Sequence, residues 1–315
     1  MQLKGKAGIV TGGGRGIGRA IALYLAAQGA SVVVNDPGVG RSGEPSDERP
    51  AEDVVAEITT AGGQAVANFD SVADYKKAGL MVQQCVDRFG SIDFLVNCAG
   101  LVRERMIWNM TEEEFDDVIA VHIKGQWNMS SHAIRHMRKA GFGRIVNISS
   151  DAFKGTVAQC NYATAKAGII GLTRSIAKET ARFGITANAL CPIADTRMTD
   201  TPEVRANRKR KLEAGVITQA QYDMANLARG PEYIAPLVGY LCTDDADIVN
   251  GQTFHVEKGL VSTYFFGEDH KALYKFGDGM FTIEELNESL PRALLNGVPP
   301  VVPIVRRGDA QKAGG

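Results

Sequence analysis

The sequence predicts an α/β fold: a doubly wound parallel sheet with helices on both faces. Three observations lead there. Strand and helix signals alternate for about 250 residues. An apolar run at 7–10 passes through a glycine-rich turn, Thr11 to Gly18, into a helix-periodic stretch at 17–27. The next apolar run, 30–34, leads to an acidic residue, Asp36. A chain of 315 residues, 44% of them hydrophobic, suffices for one large domain with an extension.

Each element follows from local chemistry. The run at 7–10 is bounded by glycines and reads as a buried strand, and 17–27 as its following helix. Residues 37–50 are rich in Gly, Pro and Ser and read as a loop. Helical periodicity returns at 51–61, a strand covers 65–69, and a helix covers 74–89. A short strand at 94–96 runs into Asn97-Cys98-Ala99-Gly100. Thr111 followed by Glu114 predicts a capping box at the head of a long helix that runs past Lys124. The strand at 144–148 ends at Ser149-Ser150, and 162–182 is strongly helix-periodic. Strands at 186–190 and 252–256, with a helix at 232–242 between them, complete the sheet. Residues 195–230 are polar and charged and read as a lid. The tail, 260–315, leaves the alternation, with one helix at 282–295 and a proline-rich run at 298–303. The division is therefore a domain at 1–259 and an extension at 260–315.

The glycine turn carries the first chemical signal. Glycines between a strand and a helix let the backbone approach a pyrophosphate, and the helix N-terminus offers free N–H groups. An acid roughly 20 residues further on, here Asp36, is placed to bind ribose hydroxyls, as in a Rossmann-type dinucleotide fold. A second reading makes Asp36 the cap of the Asn35-Asp36-Pro37 turn. If Asp36 binds ribose, its carboxylate repels a 2′-phosphate, so NAD is favoured over NADP. Arg15 or Arg41 would soften that preference by pairing with the phosphate.

Tyr162 and Lys166 stand one helical turn apart on one face. A nearby cation favours the phenolate, so the pair can exchange a proton with an alcohol or carbonyl. Ser149, at the end of a parallel strand, lies within reach of the same oxygen. Ligands in open α/β sheets bind beyond the carboxyl ends of the strands.

With these motifs in order, the chain resembles the short-chain dehydrogenase/reductase family across about residues 5–259. The resemblance rests on TGxxxGxG at 11–18, NxAG at 97–100, Ser149, YxxxK at 162–166, and Asn188 with Pro192. It implies reversible hydride transfer between a nicotinamide and an alcohol or ketone. Tyr162 would be the acid/base, Lys166 would hold ribose and lower the Tyr162 pKa, and Ser149 would orient the carbonyl. Asp70 would contact adenine and Asn97 would shape the cofactor floor. The implied cofactor contacts are Gly12, Arg15, Gly16, Ile17, Gly18, Asp36, Asp70, Ser71, Asn97, Ala99, Gly100, Tyr162, Lys166, Pro192 and Thr196.

Two departures from the family pattern are informative. His122 stands where the family has a catalytic asparagine, and Ile193 follows Pro192 in place of glycine. Both resemble the (3R)-hydroxyacyl-CoA dehydrogenase module of type 2 peroxisomal multifunctional enzymes, as do the long loop after the second strand and the C-terminal extension. His122 has three readings: a neutral replacement, an inactivating change, or a proton shuttle.

The expected activity is NAD-dependent interconversion of a 3-hydroxyacyl thioester, an acyl-CoA, with its 3-oxo form. The alternatives are a dehydrogenase of a free secondary alcohol, steroid or ring ketone, and a catalytically silent dinucleotide-binding scaffold. The basic residues Arg205, Arg208, Lys209, Arg210 and Lys211 read as a solvated helix face or a contact to CoA phosphates. Tyr264, Phe265 and Phe266 read as a pocket wall or as packing for the tail.

A net charge of −1 gives no electrostatic reason to expect nucleic acid or an anionic membrane as partner. No apolar run approaches the ~20 residues that span a bilayer, and no leader is read before the first strand. Five cysteines without CxxC spacing fit free thiols in a reducing cytoplasm, and neither they nor the five histidines have metal-ligand spacing. The family resemblance implies a homodimer or homotetramer.

Overall fold

Short runs of Val, Ile and Ala become the strands of one sheet in the computed structural model. It describes residues 1–44, 47–195, 230–265 and 282–293, with residues 206, 209, 210, 212–215, 218, 219 and 222 between them. Contacts divide the chain into two units, Met1–Tyr264 and Phe265–Gly315.

The first unit begins β1 (Ala7–Thr11), α1 (Gly16–Ala27), β2 (Ser31–Asn35), α2 (Pro50–Thr60), β3 (Gln64–Asn68), α3 (Tyr75–Phe89) and β4 (Phe94–Asn97). It continues with α4 (Glu112–Ile119), α5 (Gly125–Ala140), β5 (Gly143–Ile148), α6 (Cys160–Thr180), β6 (Ile185–Pro192), α7 (Ala235–Leu241), β7 (Thr253–Glu257) and β8 (Leu260–Thr263). The sheet order is β3-β2-β1-β4-β5-β6-β7-β8. Every neighbouring pair is parallel except β7 and β8.

Both faces of the central strands are covered, so these strands are apolar at successive positions. Val10, Val34, Val96 and Val146 turn to one face, where Ile21, Leu25, Val54 and Val238 of α1, α2 and α7 meet them. Ile9, Val33, Leu95 and Ile145 turn to the other, against Met81, Met129, Met137 and Ile176 of α3, α5 and α6. Each such side chain, fully buried, contributes about 1.5–3 kcal/mol.

The helix starts follow their capping chemistry. Asp74 accepts from the N–H groups of Lys76 and Lys77 at 2.8 and 3.0 Å. Thr111 and Glu114 form the expected capping box at the head of α4. The long helix predicted from there is interrupted by a π-helical turn, Ala120–Lys124, before α5.

The boundary of the sheet also differs from the sequence reading. Residues 260–263, assigned there to the extension, form β8 and pair with β7. The cause is the two-residue connection Lys258-Gly259, in which Gly259 takes φ +73° and the chain reverses onto β7. In the second unit α8 (Ile283–Arg292) starts with a capping box between Thr282 and Glu285.

Sheet order reverses between β2-β1 and β4-β5, so the carboxyl ends of β1 and β4 open a crevice at the switch point. Asp36, Ser71, Ala99 and Ser149 all lie beyond strand ends on that side.

Candidate active site

The glycine turn is built for close approach. Gly12 has φ +62°, and a Cβ there would stand 2.8 Å from the Ala99 Cα. A Cβ on Gly18 would stand 2.1 Å from the Gly12 carbonyl oxygen. Larger residues do not fit at either place without moving backbone. No side chain caps the first turn of α1, which leaves its N–H groups for an anion.

Asp36 is 8% exposed at the end of β2. Its Oδ2 accepts the Gly14 N–H at 3.2 Å and its Oδ1 accepts the Gly38 N–H at 2.9 Å. The turn-capping reading is thus met through Gly38, while each oxygen keeps a lone pair for a further donor. Both neighbouring arginines are already paired. Arg15 donates to the Val39 carbonyl at 3.0 Å and forms an ion pair with Glu48. Arg41 lies 3.5 Å from Glu104.

A cavity of about 660 Å³ runs from this turn to Tyr162. Its walls include Gly12, Arg15, Gly16, Ile17, Gly18, Asp36, Ser71, Ala99, Gly100, His122, Ser149, Tyr162, Lys166 and Pro192. The uncapped helix start, the glycine cradle and the acid at one end fit a dinucleotide. Two expected contacts are off the wall. Asp70 faces Lys77, 3.7 Å away, and accepts from Asn68. Asn97 is buried below the floor, where its Nδ2 donates to Asn147 Oδ1 at 2.8 Å and to Ser130 Oγ at 3.3 Å. Thr196 lies outside the described residues, as do most of the lid at 195–230, most of the basic cluster at 205–211, and the proline-rich run.

The serine facing Tyr162 is Ser150, not Ser149. Ser149 still belongs to the sheet ladder: its N–H donates to the Leu190 carbonyl at 2.7 Å. Its side chain is buried, and Oγ donates to the Lys166 carbonyl at 2.7 Å. The Ser150 hydroxyl instead acts on the Tyr162 phenol, favouring its ionised form, and both residues line the cavity. It also caps the following 3₁₀ turn, Asp151–Lys154, accepting the Ala152 N–H at 3.2 Å. That capping role was the available sequence signal, since a serine just past a strand favours a turn start.

Lys166 Nζ lies 5.2 Å from the Tyr162 ring centroid and donates to the Ile148 carbonyl at 2.7 Å. Burial pushes the Lys166 ammonium down to about 8. Burial also pushes the Tyr162 phenol up to about 12, against the downward pull of the Ser150 hydrogen bond. Desolvation is the largest cause, so in the chain alone the phenol stands above its ordinary value.

His122 sits in the π-helical turn, 2% exposed. Its ring meets Tyr162 edge-on, with centroids 5.2 Å apart. Nε2 stands 2.9 Å from the Leu101 carbonyl, and Nδ1 is buried without a hydrogen-bond partner among the described residues. Burial, then the charge of Lys166, pushes the imidazole down to about 3. A ring held neutral so firmly is a poor proton carrier near neutrality, which favours the neutral-replacement reading. Tyr264 packs against Phe153 and His255 rather than on the cavity wall. Phe266 lies outside the described residues.

Comparison with known proteins agrees with this geometry. The family model described as short chain dehydrogenase matches residues 6–208. Peroxisomal multifunctional enzyme A of Dictyostelium discoideum is 40% identical over 266 residues, covering 83% of this chain and 55% of that protein. The chain therefore spans about half the length of that relative. The 3-oxoacyl-[acyl-carrier-protein] reductase FabG of Staphylococcus aureus is 39% identical over 259 residues, covering 81% of this chain and 98% of that one. The crystal structure of a short chain dehydrogenase from Mycobacterium avium superposes with a TM-score of 0.79 at 42% identity, covering 96% of this chain and 99% of that one.

Proposed function

The chain belongs to the short-chain dehydrogenase family, and on that premise we propose that it interconverts a 3-hydroxyacyl thioester, an acyl-CoA, and its 3-oxo form with NAD. At the coarser level it is an oxidoreductase of hydroxyl groups that binds a nicotinamide dinucleotide.

The observation that carries the reading is one cavity lined by Ser150, Tyr162 and Lys166 together with Asp36 and the glycine turn. NAD bound in the cavity supplies the hydride acceptor. Tyr162 takes or returns the proton at the substrate oxygen. Ser150 holds that oxygen by hydrogen bond, and Lys166 places its charge behind the phenol ring. Lys166, which lines the cavity, would also hold a ribose. His122 packs on Tyr162 and limits its ring to one orientation. The printed names of two relatives support the thioester: one is a peroxisomal multifunctional enzyme and the other a reductase of a 3-oxoacyl group on a carrier protein. The five free cysteines fit a reducing compartment, which we take to be the cytoplasm, and the assembly is a homodimer or homotetramer.

Asp36 sets the cofactor preference. Its carboxylate would repel a 2′-phosphate, and Arg15 and Arg41 are occupied by Glu48 and Glu104. kcat/KM for NAD is expected to exceed that for NADP by at least about tenfold. Asp36→Ala narrows the gap. Equal or better use of NADP by the unaltered chain contradicts the assignment.

A further inference from the structure

A polar cluster at the edge of the cavity joins β7 and the residue after β8 to the segment that carries Ser150. The Tyr264 hydroxyl donates to Asp151 Oδ1 at 2.5 Å. Lys154 Nζ donates to the Tyr264 oxygen at 3.0 Å and to Asp151 Oδ2 at 3.3 Å. His255 Nδ1 of β7 stands 3.5 Å from the same Asp151 Oδ1. The Tyr264 ring lies edge-on to Phe153, 5.1 Å between centroids. Burial raises the Asp151 pKa, but Tyr264 and Lys154 together hold the carboxyl below its ordinary value. The bond from Tyr264 is therefore charge-assisted.

Asp151 is the residue after Ser150, and it opens the 3₁₀ turn that Ser150 caps. The Ser150 oxygen accepts the Ala152 N–H, which leaves the hydroxyl proton to be offered into the cavity that Tyr162 also lines. Rotation of the turn would break the Ala152 bond and turn the hydroxyl away. Resting on the dehydrogenase reading above, we propose that Tyr264 is a positioning residue. Through Asp151 it fixes the turn so that the Ser150 hydroxyl meets Tyr162. An antiparallel strand added beside the dinucleotide-binding strands thereby supports catalysis without touching the cavity.

Tyr264→Phe in the full chain keeps the ring and removes the hydroxyl, with both the bond it donates to Asp151 and the one it accepts from Lys154. We expect kcat to fall about tenfold, the scale of one lost hydrogen bond to a charged group, with NADH affinity unchanged. Amide exchange at Ala152, Phe153 and Gly155 should quicken, because their N–H groups are bonded within this turn. A double-mutant cycle separates positioning from general loss of structure: in a Ser150→Ala background, Tyr264→Phe should cost nothing further. Equal loss in both backgrounds, or unchanged amide exchange, overturns the proposal. If the unaltered chain transfers no hydride with any substrate, the dehydrogenase reading fails by itself, and the exchange measurement still decides whether Tyr264 holds the turn.

Discussion

Two hydroxyls one residue apart have opposite fates. Ser149 donates to the Lys166 carbonyl, whereas Ser150 acts on the phenol of Tyr162, the residue proposed to carry the proton. Tyr162→Phe should cut turnover by at least roughly 10²-fold with NAD binding nearly intact, since only the proton path is lost. Ser150→Ala should cost a similar amount, whereas Ser149→Ala should lower stability by about 1 kcal/mol with a smaller effect on turnover. Steady-state kinetics and urea unfolding of the three variants check this, and a larger turnover loss in Ser149→Ala than in Ser150→Ala contradicts it. The YxxxK pair was legible because its chemistry needs only helical spacing. The choice between adjacent serines was not, because it depends on where the β5 ladder releases the chain.

His122 gives a second prediction at this scale. Its folded pKa, about 3, lies below the unfolded value of 6.5. Between those values the unfolded chain binds more protons, so stability falls as pH falls through that window. His122→Asn removes the slope. Unfolding free energies at about pH 7 and about pH 4.5 should diverge more for the unaltered chain than for the variant. Parallel losses would show that the buried ring is not the cause.

Among the elements, those with strong local signatures were readable and those set by tertiary contact were not. The Thr111 capping box and the α1 and α6 periodicities were plain in the sequence. The π-helical turn at 120–124 was not, since it places the His122 ring against Leu101 and Tyr162 and has no local marker. β8 was missed because four exposed residues carry no burial pattern. Exposure also points to assembly on the α4–α6 side. Trp127 on α5 is 46% exposed and Phe115 on α4 is 37% exposed. Singly exposed apolar residues are ordinary, but here they lie in the stretch at about 111–139, which with that at about 162–182 is the interface the family resemblance implies. Light scattering should give a dimer or tetramer, and Trp127→Glu should shift it toward smaller species. A monomer at micromolar concentration for the unaltered chain contradicts this.

At the scale of the molecule, the doubly wound sheet and its switch point were legible from alternation alone, because each βαβ unit needs the next one to bury its faces. The glycine-turn end of the cavity was also legible, since the glycine positions report close backbone approach and Asp36 follows β2 onto the cavity wall. The substrate end was less so. The cavity wall draws on segments far apart in sequence, such as Leu101 and Val102, Ser149 to Ala152, and Ile193 to Asp195, that meet only in the fold. The central claim is that this end takes a 3-hydroxyacyl thioester. Binding energy from the remote CoA portion should place the reacting carbon, so truncation should lower turnover as well as affinity. The most direct test follows NADH absorbance for a panel of 3-hydroxyacyl-CoA thioesters, the corresponding free 3-hydroxy acids, simple secondary alcohols and steroids, each with NAD. The account predicts the highest kcat/KM for a 3-hydroxyacyl-CoA, and a higher value for a free alcohol or steroid would contradict it.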